Sequence, residues 1–507
     1  MNIVVAGGGT AGWLTALYVK KVFPEHEITV VESEEIGILG AGEGSTPILW
    51  AMLNFLDISI SSLIKNTGAT VKNSVKFTNW TENGSSYHNP FQSNFPGMMD
   101  ENFRYSNFLE NDYSFQHIYG AMDGKSLKDY SMMERLSEKK LVPFTFMNGE
   151  LTNLSVASIH FNARDLAIHL RKVAESRKVK RIEGIINKIN SDSEGYINSV
   201  DVGNKNIPLD FIFDCTGFKR LIIGNFYKSN WSSYKHILPA KKAIPFFDPT
   251  DEDNLPPYTE AIAMDYGWMW KIPVQGRYGC GYVFDSDFIS DDEAKKELDE
   301  LIGYEVQSPR TFTFEPGSFD KVWINNCLAV GLSSGFVEPL EATSIMQSMF
   351  LLREFLKNKN NLTTKNYILK DQINNLYKKQ TEGIVDFIYL HYVTNKKNTK
   401  FWSEFTINNN MPSKISEVLE IIKERPLHTL DFADQFYHGL FVASSYMYIL
   451  VGNQLVHRDE LINYNKLVFV DKMEQFKTIL QQQDISVASA ITHKKFIEYC
   501  QQNTIFI

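Results

Sequence analysis

The sequence predicts an α/β fold, a Rossmann-like dinucleotide-binding sheet interleaved with a second sheet and closed by a C-terminal helical cap. Three observations carry this. The chain opens on a short apolar strand, a glycine turn and a helix. An apolar strand returns at Cys327 to Leu332 and runs into Ser333-Ser334-Gly335-Phe336. From Ile345 onward the apolar spacing becomes helical.

In the first element, Ile3 to Ala6 reads as a buried strand, Gly7-Gly8-Gly9-Thr10-Ala11-Gly12 as the turn, and Trp13 to Phe23 as a helix, with Leu14, Leu17 and Tyr18 on one face. Gly7 permits a tight turn, Gly9 lets backbone approach a pyrophosphate, and Gly12 lets helix and strand pack closely. The helix N-terminus that follows this turn offers free N–H groups to anionic oxygens. A second strand, Glu27 to Val31, leads to Glu32, which follows Gly12 at the roughly 20-residue separation of a ribose-binding acid. The loop alone does not choose between NAD and FAD. Two late strands do bear on it: Phe211 to Phe213 enters Asp214-Cys215-Thr216-Gly217-Phe218, and Cys327 enters Gly331-Leu332-Ser333. Late strands ending in small residues suit an FAD-binding fold of the glutathione-reductase/monooxygenase type, whose flavin ring is held by backbone and a helix N-terminus. Two core strands with loops are the plain alternative. The cofactor-binding candidates are Gly7, Gly9, Thr10, Ala11, Gly12, Glu32, Ala41, Gly331 and Leu332.

No Pro- or Gly-rich linker divides the chain. Residues 1–355 read as the FAD-binding domain, with insertions near 80–150 and 225–320 forming a substrate-facing sheet that carries Phe91, Phe95, Phe103 and Phe108. Residues 356–507 read as the helical cap, on spacings such as Ile384, Phe387, Ile388 and His391. No internal repeat is evident.

With 507 residues, 43% hydrophobic and 22% charged, the chain has the composition of an ordinary folded protein. A net charge of −9 leaves no cation surplus for a phosphate backbone, which argues against nucleic acid as a partner. No apolar run reaches the roughly 18 residues of a membrane span, and Met1 leads straight into a strand. The expectation is a cytoplasmic protein without a membrane partner, in the host cytoplasm if the Lys- and Asn-rich spelling reflects a phage. The four cysteines, Cys215, Cys280, Cys327 and Cys500, form no CxxC pair, which predicts reduced thiols and no metal.

Several motifs recur together. They are Trp13 after the glycine loop, Gly42-Glu43-Gly44-Ser45-Thr46-Pro47, Lys72 within Ala69 to Trp80, Trp268-Met269-Trp270-Lys271-Ile272-Pro273, Pro339-Leu340-Glu341-Ala342-Thr343-Ser344-Ile345, Asp386 to Tyr392, and Phe401-Trp402. Jointly they resemble the flavin-dependent halogenases of the tryptophan-halogenase type, over most of the chain. The resemblance implies that reduced FAD and O₂ give a flavin hydroperoxide, that halide (chloride, bromide or iodide) attacks it, and that hypohalous acid travels inside the protein to a separate small aromatic. With no second GxGxxG unit for NADPH, reduced FAD would diffuse from a separate NAD(P)H-dependent flavin reductase. A homo-oligomer stays open. So does a FAD-dependent aromatic monooxygenase or oxidase on the same fold, which halide dependence would separate from a halogenase.

The resemblance also assigns roles. Lys72, first of a K-x-x-x-K pair with Lys76, would polarise hypohalous acid or carry halogen as a haloamine; taken alone it is an ordinary solvated lysine. Glu341 would accept the ring proton and stabilise the cationic intermediate; taken alone it is a helix-start acid. The N–H groups of Thr343 and Ser344 would cradle the halide, although Ala342 and Ser344 replace the family's Ser and Gly. Trp268 and Trp270 would bar a ring from the flavin, or are core filler on one strand face. His88 and Phe91, with Tyr446 in place of the family's tryptophan, would form the aromatic platform. Lys396-Lys397-Asn398 replaces the family's Arg-x-Asp, so an electron-rich indole or phenol is expected rather than free tryptophan alone.

Overall fold

The computed structural model describes residues 1–35, 43–91, 114–308, 310–393, 399–407, 410–432, 440–464 and 473–505. Ala41, Phe95, Phe103, Phe108 and the Lys396-Lys397-Asn398 loop lie outside the described residues.

A six-stranded sheet runs in the order Lys180–Glu183, Glu27–Glu32, Asn2–Ala6, Phe211–Asp214, Cys327–Ala329, Trp323–Ile324. All pairs are parallel except the last. Val5 pairs with Val30 on one side and Phe213 on the other. Ile3 to Ala6 and Phe211 to Asp214 are buried throughout, which is why they read as unbroken apolar runs rather than as alternating strands. The helix Thr10–Val22 buries Trp13, Leu14 and Leu17 in the core beneath this sheet.

The second sheet has seven strands, in the order Phe312–Thr313, Lys242–Asp248, Arg277–Phe284, Gly267–Val274, Tyr258–Met264, Ser74–Thr78, Ser86–Pro90. Residues 242–284 form an antiparallel set joined in parallel, through Tyr258–Met264, to Ser74–Thr78. Among the described residues of 80–150, Ser86–Pro90 forms the edge strand of this sheet, Ser114–Met122, Leu127–Tyr130 and Met132–Glu138 are helices, and Phe144–Met147 pairs with Glu150–Asn153 in a separate two-stranded sheet. The aromatics there signalled burial without specifying a period. The helix starts are set locally, by the Ser126/Asp129 capping box and by Ser131, whose hydroxyl accepts from the Glu134 N–H.

After Thr343–Leu356 the chain is helical, its longest element being Tyr367–Tyr392, and the helix Ala443–Gly452 joins the second core. The last helix, His493–Gln502, returns instead to the first core, where Phe496 stacks on Phe144 with ring centroids 4.4 Å apart.

Asp214 joins sheet to site. Buried at the end of its strand, it accepts from the Thr216 N–H and hydroxyl at Oδ1 (3.1 and 2.7 Å) and from the Ile222 and Ile223 N–H groups at Oδ2 (2.9 and 2.8 Å). Asp214→Ala strands these donors and should lower unfolding stability by about 3 kcal/mol in urea titrations.

Candidate active site

Three chain segments meet at the first glycine loop. Gly7 has φ 119°, and a Cβ there would lie 2.1 Å from the Cys215 carbonyl oxygen. Helix and loop approach so closely at Gly12 that a Cβ would lie 2.0 Å from the Gly7 oxygen. Gly331 opens the short turn Gly331–Ser333, including Leu332, and lies against Ala11. Ser333 Oγ accepts from the Gly217 N–H at 2.8 Å, tying two strand ends together.

This region fits a dinucleotide. Around Gly9 there is open space where a side chain would stand, and the helix Thr10–Val22 has no side-chain cap on its first turn. The Thr10 hydroxyl is buried beside it with no hydrogen-bond partner among the described residues. Glu32 stands over the loop, close enough that a Cβ on Gly8 would lie 1.5 Å from Oε2, while Oε1 is held by Arg181 at 2.6 Å and Arg171 at 3.4 Å. These residues would hold the pyrophosphate and ribose of FAD.

The second constellation starts on a third sheet, of three strands in the order Glu43–Gly44, Ser158–Phe161, Thr70–Lys72. Lys72 ends the strand Thr70–Lys72, which pairs with Ser158–Phe161, and is 1% exposed. Its Nζ donates to the Ser45 carbonyl at 3.1 Å and lies 5.3 Å from the Phe91 ring centroid. Burial pushes the Lys72 ammonium pKa down to about 8, against the opposing pull of the Glu341 charge. Lys76 does not join it. Beyond Asn73 the chain enters a different sheet, and Lys76 pairs with Glu138 at 2.9 Å.

Glu341 is 6% exposed and has φ 63°, followed by Ala342 at φ 54°. Two consecutive left-handed residues without glycine cost roughly 1–2 kcal/mol each, so surrounding contacts must hold them. Two of those contacts are to Oε1: Asn89 Nδ2 donates at 2.8 Å and His391 Nε2 lies at 3.1 Å. The helix Thr343–Leu356 then starts at Thr343 and Ser344 with Ala342 as its cap and no side-chain acceptor on its first N–H groups.

His88 is placed differently from its expectation. Alternation along Ser86–Pro90 sends Asn89 toward Glu341 and the His88 ring the other way, where Nδ1 meets Ser74 Oγ at 2.8 Å and Nε2 meets Glu138 at 2.9 Å. Asn89 and His391 are the residues that sequence reasoning did not single out. Strand parity would have exposed the first; the second lies in a helical stripe that read as core.

Trp268 and Trp270 share one face of the strand Gly267–Val274, with ring centroids 6.3 Å apart. Trp268 Nε1 donates to the Tyr392 hydroxyl at 3.1 Å, which donates to Glu338 at 3.1 and 3.2 Å. Burial pushes the Glu338 carboxyl up to about 8, so it is mostly protonated at neutral pH. Tyr446 is buried against Phe387 and Phe432, and Phe387 in turn packs on His391.

The sequence model of the tryptophan halogenase family matches residues 2–465. The chain belongs to the tryptophan halogenase family. Tryptophan 6-halogenase SttH of Streptomyces toxytricini is 31% identical over 482 residues, 89% of each chain. A flavin-dependent halogenase of Xanthomonas campestris, Xcc4156, superposes with a TM-score of 0.82 at 26% identity over 98% of both chains. A tryptophan halogenase of Shewanella frigidimarina shares the fold at a TM-score of 0.88 and 23% identity, covering 100% of this chain and 98% of that one. The protein is thus a flavin-dependent enzyme with the family's FAD-binding Rossmann-like fold and helical C-terminal region. Among the described residues, no single helix is long and apolar enough to cross a membrane, and no group of His, Cys, Asp and Glu could hold a metal ion.

Moving the Lys72 amine from its ordinary 10.5 to about 8 disfavours the buried ammonium by about 3 kcal/mol. The unfolded chain binds this proton more tightly, so stability should rise from about pH 8 to 10.5 and carry the full cost below it. Lys72→Met should therefore stabilise the protein by up to about 3 kcal/mol near neutral pH and flatten that rise, read from denaturation at a series of pH values.

Proposed function

We propose that the enzyme halogenates an electron-rich aromatic, an indole or phenol, with an oxidant made at the glycine loop and used at Lys72 and Glu341. The observation that carries this is the buried Lys72 amine next to Phe91 and within electrostatic reach of the buried Glu341 carboxyl. Reduced FAD, when bound, supplies with O₂ the two-electron oxidation of halide to hypohalous acid. The uncapped N–H groups of Thr343 and Ser344 would hold the halide. Lys72, with one hydrogen bond to Ser45 and further N–H donors free to turn inward, would hold HO–X and polarise it, or as the neutral amine take the halogen itself. Glu341 Oε2, which takes no hydrogen bond among the described residues, would accept the ring proton.

Phe91 and Tyr446 offer the aromatic surfaces, and the Trp268–Trp270 pair would keep a ring from the flavin by shape. An indole substrate is favoured by the names of relatives such as tryptophan 6-halogenase SttH. A separate flavin reductase would deliver reduced FAD.

The deciding assay combines protein, reductase, FAD and NADH with chloride, bromide or iodide and a panel of indoles and phenols, read by mass spectrometry. Halogenated product in at least one halide is expected; an oxygenated product formed equally without halide would overturn the reading. Lys72→Ala should retain FAD binding and NADH-coupled O₂ consumption while losing halogenation. Glu341→Gln should slow halogenation by about 100-fold.

A further inference from the structure

Glu341 does not stand alone. His391, 0% exposed on the helix Tyr367–Tyr392, places Nδ1 2.8 Å from the Phe387 carbonyl oxygen and Nε2 3.1 Å from Glu341 Oε1. A carbonyl oxygen can only accept, so Nδ1 carries a hydrogen. In a neutral imidazole Nε2 is then a bare lone pair, and a bare lone pair facing a carboxylate oxygen is repulsive. Turning the ring over would put carbon atoms against both oxygens. The Nε2–Oε1 contact is satisfied only if it holds a proton, either as imidazolium against carboxylate or as carboxylic acid against neutral imidazole.

Nothing else described around the ring can supply that proton. Its ring neighbours are Phe77, Trp80 and Phe387. The groups facing Glu341 are Asn89, which donates an amide hydrogen to the same Oε1, and by charge Lys72 and Tyr87. The helix is pinned as well: Asn453 donates to the His391 carbonyl at 3.1 Å and accepts from the Tyr87 hydroxyl at 2.9 Å.

We infer that Glu341 and His391 form a dyad that shares one proton at rest, with His391 the positioning residue that lets Glu341 take a second. The inference rests on the reading of Glu341 as the ring-proton acceptor. When the halogenated ring gives up its proton, the C–H bond breaks, its electron pair restores the aromatic ring, and a bond to Oε2 forms. Any proton still on Oε1 moves to Nε2 in the same event, its O–H electrons staying on Oε1. The product state is a carboxylic acid beside an imidazolium, whichever resting form held the shared proton. The dyad starts neutral overall, so the Lys72 ammonium is not locked to a bare carboxylate.

Two measurements test this. In protein labelled with ¹⁵N-histidine, with the His391 signals identified by their loss in His391→Gln, Nε2 should show a protonated or strongly hydrogen-bonded shift near neutral pH. That shift should move to that of a bare imidazole nitrogen in Glu341→Ala; a bare Nε2 in the wild type would overturn the inference without any turnover. In single-turnover bromination of perdeuterated indole, the wild type should show no primary isotope effect because electrophilic addition is slow, whereas His391→Gln should show an effect of about threefold as proton removal becomes limiting. If Glu341→Gln neither slows the reaction nor exposes an isotope effect, the role of Glu341 fails. If Glu341→Gln does both and His391→Gln exposes none, the dyad alone fails. Should His391→Gln not fold, the wild-type and Glu341→Ala spectra decide, the His391 signals then being assigned by their response to Glu341→Ala.

Discussion

A lysine amine held out of water is the constraint on which the site depends. Lys72 is ringed by the Ser45 carbonyl, the Phe91 ring and the backbone at Gly44, and among the described residues the charge that opposes the cost of its burial belongs to an acid at the head of another helix. In the proposed function, the cost of that burial is what would make the amine useful. An ammonium in water at neutral pH is inert as a nucleophile and already solvated, whereas one with a pKa near 8 can donate a hydrogen bond strongly or give up its proton.

The acid partner is held by strain and by hydrogen bonds from two distant parts of the chain. Glu341 and Ala342 both adopt left-handed backbone conformations, and the turn they make aims the carboxyl at Asn89 and His391 while opening the helix Thr343–Leu356 directly behind it. In the proposed function, one short segment would thereby present a proton acceptor on its side chain and an anion-binding helix start on its backbone. A carboxylate and a halide so close would repel each other. The proton proposed to be shared with His391 would lower that repulsion.

Around this centre the aromatic residues divide into packing and wall. Trp80, Trp402 and Tyr392 pack edge-on or tilted against one another in the second core. Trp268 is anchored by its Nε1 hydrogen bond to Tyr392 and through it to Glu338, whose raised pKa keeps a neutral acid there rather than a charge in the wall. A wall fixed by hydrogen bonds holds its shape better than one held by contact alone, and in the proposed function shape would separate a small oxidant from a ring.

The N-terminal strand, glycine turn and helix were legible in the sequence because they are local: strand period, glycine placement and a helix start need only neighbours in the chain. The late strands at Phe211 and Cys327 were legible for the same reason, as apolar runs too short for helices. The helices at 114–138 were not, since aromatic content tells burial but not period. Parity along Ser86–Pro90 puts Asn89 and His88 on opposite faces, and only the packing of each face decided that Asn89 and not His88 meets Glu341. Sequence by itself determined the residue types and the family-wide motifs, down to an amine at 72 and an acid at 341. Tertiary structure alone decided that these lie within reach of each other's charge, that Lys76 turns away, and that His391 closes on Glu341 from about fifty residues later. Pattern along a chain encodes faces and turns, whereas proximity between remote segments is set by how the two sheets and the long helix pack.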